Sequence, residues 1–219
     1  MYLSRLILNP RSRQVQREIG DPYQLHRTIM AAFPETLPDG ERILHRLEQN
    51  PQSLQIVLLV QSQTPPDWSA LATKDYCLPL DPFHALENPA VKEVSLTFHA
   101  GQQLRFRLRA NPVKRLFRNR PEYKLKKGQR IGLFREEDQR KWLQQKGGDS
   151  GFTVETVAMR SEGFSGGWTK DQQKLKHYAV CFDGILQVTD TAAFLTAIQA
   201  GIGSGKAFGF GLLSVAPVR

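Results

Sequence analysis

The chain has 219 residues, 40% of them apolar, which suffices for one large hydrophobic core or two small ones and excludes global disorder. No apolar run approaches the ~20 residues of a membrane-spanning helix, and the start, Met1-Tyr-Leu-Ser-Arg-Leu-Ile-Leu-Asn9, lacks the basic head and small-residue cleavage site of a secretory leader. The formal charge of +9 is local: residues 105–130 hold 11 Lys/Arg against one acid, Glu122, a net +10, which leaves −1 for everything else.

A basic block of this kind is the electrostatic footprint of a surface that meets a phosphate backbone or an anionic membrane, a solvated basic loop being the plainer reading. Cys77 and Cys181 stand far apart with no C-x-x-C pair, so two buried thiols in a reducing cytoplasm are expected rather than a disulfide or a zinc site. No pair of histidines has metal-ligand spacing and no acidic cluster suits Mg²⁺. No metal and no cofactor are expected.

In chain order, residues 2–9 alternate like a strand. Asp21 is a good N-cap and Pro22 a good first helical residue, which predicts a helix from Pro22 to about Phe33. Strands are expected at about 41–48 and 54–62, separated by the turn-like Gln49-Asn-Pro-Gln52. Asp67 caps a short helix through Ala72, and a last strand lies near Tyr76–Leu80. The order is βαββαβ, the ferredoxin-like unit, over 1–81. Pro79, Pro82 and Pro89 mark a linker at 82–93. The second half, 94–219, begins with Leu104–Ala110, whose alternation puts Leu104, Phe106 and Leu108 on one face and Arg105, Arg107 and Arg109 on the other. A loop-rich basic insertion follows. A helix over Arg135–Lys146 is ended by Gly147-Gly148. Strands at about 152–160 and 174–188 flank a glycine-rich tip, Gly163–Gly167. Asp190 caps a helix over Thr191–Ala200 with Gly201 as its stop. Leu212–Val215 is the final strand. The prediction is an α+β chain of two ferredoxin-like units with insertions in the second.

On the first helix, at about 100° per residue, Leu25, Ile29, Ala32 and Phe33 share the core-facing stripe. Tyr23, Arg27 and Met30 lie on another face, and His26 sits between the two. Tyr23, three residues before His26, can face the same spot, and Arg27 adds a fixed charge. Histidine exchanges a proton near neutral pH. RNA carries its own nucleophile, the 2′-hydroxyl, so a base for that proton and cations for the phosphate suffice for strand cleavage. By itself the triplet is a weak signal, because most helix histidines are structural or surface residues. His45 and His99 fall in strand-like segments, His84 in the proline-rich linker and His177 in a strand. Tyr2, Trp68 and Tyr76 read as core residues.

Gly201-Ile-Gly-Ser-Gly-Lys-Ala-Phe-Gly-Phe-Gly211 follows a helix and precedes a strand, the reverse of a P-loop's order. Its glycines, Gly203 and Gly205 among them, let backbone approach another chain and offer N–H groups to phosphates, with Lys206 adding a charge. The alternative is a tight connection packed against the neighbouring unit.

Three blocks, Asp21-Pro-Tyr-Gln-Leu-His-Arg27, Arg107-Leu-Arg-Ala-Asn-Pro-Val-Lys-Arg115 and Gly201–Pro217, closely resemble the CasE family of CRISPR repeat-processing endoribonucleases, the RNA-cleaving subunits of type I-E Cascade. The resemblance runs from the first strand to Pro217 and is weakest over about 116–175. It implies tandem ferredoxin-like domains of the RAMP type. It implies recognition of a repeat hairpin in the CRISPR precursor and a cut at the 3′ base of the stem by 2′-hydroxyl attack. That cut needs no metal and leaves a cyclic phosphate and a 5′-hydroxyl. It places the family's catalytic histidine on His26, as base on the 2′-hydroxyl, as acid on the leaving 5′-oxygen or as a transition-state stabiliser, and its tyrosine partner on Tyr23, which would orient the reacting groups. The implied partners are the repeat RNA and mature crRNA, and the other Cascade subunits, with a monomer when free and no membrane. Arg27 would steady the scissile phosphate. Arg105, Arg107, Arg109, Lys114, Arg115 and Arg118 would grip the stem, and Arg160, Lys170, Lys174 and Lys176 would extend that surface. The rival readings are a non-catalytic RNA-binding subunit of the same fold and, on charge alone, a DNA- or membrane-surface-binding protein.

Overall fold

The structure is a computed structural model that describes residues 1–49, 55–72, 75–79, 87–119, 126–168 and 174–218. Residues 50–52 of the expected turn, Leu80, His84 with the rest of 82–86 in the expected linker, and Lys170 lie outside the described residues, as does the side chain of Lys174.

The chain folds as two ferredoxin-like units in tandem. In the first, β1 (Tyr2–Leu8) sits between β3 (Ile56–Ser62) and β4 (Ala90–Glu93), and β2 (Leu44–Gln49) flanks β3 at the edge. Every pairing is antiparallel. Strand alternation sends Leu6, Leu8, Leu58 and Val60 inward, against Leu25 and Ile29 of α2 (Pro22–Met30) and against Trp68, Leu71 and Tyr76. In the second, β10 (Leu213–Pro217), β5 (Gln103–Ala110), β9 (Lys174–Val188) and β8 (Phe152–Trp168) lie in that order. Leu104, Phe106 and Leu108 of β5 pack with Trp142 and Leu143 of α4 (Glu136–Asp149) and Phe194 and Ile198 of α5 (Thr191–Ala200). Read in chain order within each unit, both sheets run fourth, first, third, second strand. The α+β class and the doubled unit are as expected.

Several elements differ from the sequence reading. A helix, α1 (Arg13–Ile19), precedes α2, and its buried Glu18 accepts hydrogen bonds from the Tyr76 hydroxyl at 2.7 Å and the Thr28 hydroxyl at 2.8 Å. The helix α2 ends at Met30, although Ala32 and Phe33 are buried as expected. Instead of a strand at Tyr76–Leu80, the described part makes one bridge, Cys77 to Leu8, and the sheet edge is taken by β4 from the stretch read as linker. Asn88 seats that edge: its amide donates to the Ile7 and Leu78 carbonyls and its side-chain oxygen accepts from the Ile7 N–H.

In the second unit, α4 continues through Gly147 and Gly148, because Gly147 is a packing glycine rather than a stop. A Cβ there would lie 2.8 Å from the Phe152 carbonyl oxygen. Gly163–Gly167 is likewise part of β8, which stays paired with β9 out to Trp168 through two register shifts. The basic insertion contains a small hairpin, β6 (Val113–Arg115) with β7 (Arg130–Gly132).

Candidate functional site

The seam between the units is built by side chains that cross it. Arg46 of β2, 3% exposed, donates to the Leu212 carbonyl at 3.1 Å and to the Ser214 hydroxyl at 2.9 Å, and pairs with Glu48 at 2.8 Å. Gln61 of β3 donates to the Ile198 carbonyl at 2.7 Å. The glycine-rich loop lies in this seam. It is held by the Gly211 N–H on the Arg109 carbonyl, and Ser204 bridges Asn111. The two sequence blocks Arg-Ala-Asn-Pro and Gly-Lys-Ala therefore meet.

Against this loop stands α2. Asp21 caps it, its carboxylate accepting from the Tyr23 N–H at 3.1 Å and the Gln24 N–H at 3.4 Å. Leu25 and Ile29 are buried, Arg27 is exposed, and His26 is half-buried on the boundary, as the helical geometry predicts. Its Nδ1 is buried with no hydrogen-bond partner among the described residues. Burial lowers its pKa below the ordinary 6.5, so the neutral imidazole dominates at pH 7.

His26 opens onto a cleft of about 890 Å³. One wall is Met30, Arg42 and Ile43. Opposite stand Arg115 and Arg130 of the β6–β7 hairpin with Trp142 and Lys146 of α4, and the floor is Gly203–Phe208. Glu41, the one acid among the described lining residues, is already occupied by the Gln63 and Thr64 N–H groups and the Thr64 hydroxyl. Arg42, Arg115, Arg130 and Lys206 have no ion pair among the described residues, whereas Lys146 pairs with Asp149 at 2.9 Å. Burial, then the nearby Arg42, lowers the Lys206 pKa. The arrangement sets a neutral proton acceptor beside positive charges that no acid neutralises, as a transferring phosphate requires. Gly203 and Gly205 have φ of 84° and 78°, and a Cβ would stand 3.1 Å from the Trp142 ring at the first and 3.0 Å from Phe210 at the second. The loop is a tight connection packed in the seam, and the same residues line the cleft.

The remaining expected residues divide. Lys114, Arg115 and Arg118 line an adjoining trough of about 960 Å³ between the hairpin and α4. Lys176 is exposed with its ammonium 4.0 Å above the Phe164 ring. Arg105 is exposed and does not line the His26 cleft. Among the described residues, the Arg27 guanidinium hydrogen-bonds only to Gln24. Tyr23 is half-buried one turn before His26, does not line the cleft, and makes no hydrogen bond or ring contact with His26 among the described residues. Arg107, Arg109 and Arg160, expected to grip a stem, each have an acid partner in the structure. Arg107 pairs with Asp183 at 2.6 Å and Glu48 at 3.4 Å; its pKa is raised, first by the Asp183 hydrogen bond. Arg109 pairs with Glu162 at 2.7 Å and lies 4.5 Å over Phe210, and Arg160 shares that Glu162 at 3.2 Å.

Sequence reasoning missed Arg42, Arg130 and Lys146, which come from three separate elements, and it set aside His45. That ring is fully buried on β2, stacked on His26 with centroids 6.1 Å apart and planes at 18°.

Comparisons with known proteins agree across the whole length. The profile of a family described as CRISPR associated protein matches residues 1–217. The chain is 38% identical to the CRISPR-associated endoribonuclease Cse3 of Thermus thermophilus, covering 99% of this chain and all of that protein. It is 34% identical to the CRISPR system Cascade subunit CasE of Escherichia coli, with both chains fully covered. A solved structure of Cse3 bound to 19 nt RNA superposes with a TM-score of 0.82 at 35% identity, over 99% of this chain and all of the other. The chain belongs to the CasE-type family of CRISPR-associated proteins.

Proposed function

We propose that this chain is an endoribonuclease that binds the hairpin of a CRISPR repeat and cuts the precursor at the 3′ base of the stem to release crRNA. The observation that carries the reading is His26, neutral at pH 7, at the edge of a cleft where Arg42, Arg115, Arg130 and Lys206 have no ion pair among the described residues, in a chain of this family. His26 takes the 2′-hydroxyl proton, and the O2′–P bond forms as the P–O5′ bond breaks. The 5′-oxygen leaves with a proton, giving a 2′,3′-cyclic phosphate and a 5′-hydroxyl without a metal ion. Arg115, Arg130 and Lys206 neutralise the charge gathered on phosphorus, and the loop N–H groups at Gly203 and Gly205 face the same space. Tyr23 orients the reacting strand and Arg27 steadies its phosphate. Lys114, Arg118, Lys170, Lys174 and Lys176, with the exposed Arg105, hold the stem through its backbone, as A-form RNA is held.

The chain works in the cytoplasm. It is a monomer when free, stays on its product and joins the other Cascade subunits. It divides at about residue 94 into two units, in line with two hydrophobic cores that share no member. The test is cleavage of a cognate repeat hairpin with end-group analysis. His26→Ala abolishes cutting and keeps binding, and EDTA leaves the wild type active. Normal cutting by His26→Ala refutes the assignment, and loss of cutting in EDTA refutes the metal-free route. A non-catalytic RNA-binding role predicts binding with no cut products from the wild type.

A further inference from the structure

His45 is the most buried titratable side chain near the cleft, and neither of its nitrogens has a hydrogen-bond partner among the described residues. A polar group in such a site is costly unless it serves a purpose. Its surroundings are specific. The His26 ring lies over it, nearly parallel. Behind it the glycine-rich loop lies in van der Waals contact, a Cβ at Gly209 standing 3.5 Å from its Nε2. Arg109 of β5 faces the same space, held by Glu162, the Gly209 carbonyl and Phe210. Burial, then His26, then Arg109 all push the His45 pKa down, to about 3. A ring so placed stays uncharged at any pH at which RNA is cut. No acid among the described residues is paired with it to draw a proton onto it.

We propose that His45 is a positioning residue for His26: an uncharged buried ring, clamped by the glycine-rich loop, on which the His26 imidazole rests so that its free edge points into the cleft. The inference rests on the reading of His26 as the proton acceptor. The ring works through its flat face and its exclusion of water, not through its nitrogens. Its second effect is on His26 itself, whose depressed pKa is due to burial. The groups that face His26 are His45 beneath it, Arg42, Arg115, Arg130, Lys146 and Lys206 across the cleft, and the occupied Glu41. A cavity in place of the His45 ring admits water under His26 and lets its pKa return toward 6.5.

The test compares His45→Phe with His45→Ala by single-turnover cleavage of the repeat hairpin across pH 5–9. Hairpin affinity, thermal melts and the His26 titration by NMR are measured in parallel. An apolar ring in a site with no polar partner folds, so His45→Phe is expected to bind and cut within about threefold of the wild type with an unmoved acid limb. His45→Ala is expected to keep its affinity but cut about tenfold or more slowly, with the His26 titration and the acid limb moved upward. A His45→Phe variant that folds and binds but has lost cutting shows that the nitrogens act, and overturns the ring platform. Unchanged cutting and an unmoved His26 titration in a folded His45→Ala overturn it as well. If His45→Ala does not fold, a shifted His26 titration in His45→Phe is enough to refute the proposal. Failure here leaves the His26→Ala result standing, whereas an active His26→Ala removes the reading on which the inference rests.

Discussion

Two arginine-rich regions lie within a few residues of each other in sequence and do opposite things. On β5, Arg107 and Arg109 meet Asp183, Glu48 and Glu162, while Arg46 meets Glu48 on its own strand and, across the seam, the Arg107 and Leu212 carbonyls of the second unit. On the β6–β7 hairpin, Arg115 and Arg130 face a cleft whose one described acid is already occupied. In the first set, Arg46 and the Arg107–Glu48 pair tie the two units and Arg109 is matched within the second; the other set leaves its charge available. A count of basic residues cannot separate them, because available charge depends on which acids the sheet register places opposite. Asp183 lies directly across β5–β9 from Arg107, a partner 76 positions away along the chain.

The largest effect is expected at the cleft itself, where His26→Ala should lower single-turnover cleavage by about 10²-fold or more, with melting temperature unchanged. On the seam side, Arg46→Ala should destabilise the fold by about 3 kcal/mol, because it leaves the Leu212 carbonyl and the Ser214 hydroxyl without their donor and leaves Glu48 only its longer contact with Arg107. Urea melts measure this, and a loss of cleavage without a loss of stability would move Arg46 to the other set.

The stacked pair behind the cleft makes stability fall with acid. Above pH 6.5 His45 is neutral whether folded or not. Between 6.5 and its folded value of about 3, only the unfolded chain takes up the proton. Each pH unit in that window then costs about 1.4 kcal/mol. From pH 7 to 5 the wild type should therefore lose about 2 kcal/mol more than His45→Phe, read as the difference between the two sets of urea midpoints. Equal losses would mean that the buried ring finds a way to charge.

A smaller effect distinguishes the two arginine sets directly. Arg115→Ala and Arg130→Ala should each reduce the slope of log affinity against log salt for the hairpin by about one. Arg107→Ala, whose charge is already matched, should leave that slope nearly unchanged and cost instead a few tenths of a kcal/mol of stability. A slope change at Arg107 as large as at Arg130 would erase the division between seam and cleft.

Local patterns were legible wherever one element decided them alone. The Asp21-Pro22 start of α2, the placement of His26 at the rim of its apolar stripe, the Asp190 cap of α5 and the alternation of β5 all read correctly. Glycines were harder. Gly147 and the run Gly163–Gly167 have the look of stops, yet one admits the Phe152 backbone and the others ride in a long paired strand. The edge strand β4 was hidden because four residues ending in Lys92-Glu93 carry no inward-facing pattern, and only the partner β1 makes them a strand.

By itself, then, the order of residues determined the repeated βαββαβ plan, the helix that carries His26 and the location of the excess charge, because each depends on contacts within a few positions. Tertiary structure alone decided which cations face the cleft, that the Arg107 and Arg109 charges are neutralised, and that His45 lies under His26. Those facts depend on groups from separate elements and both units meeting at one seam, and such meetings leave no period in the sequence.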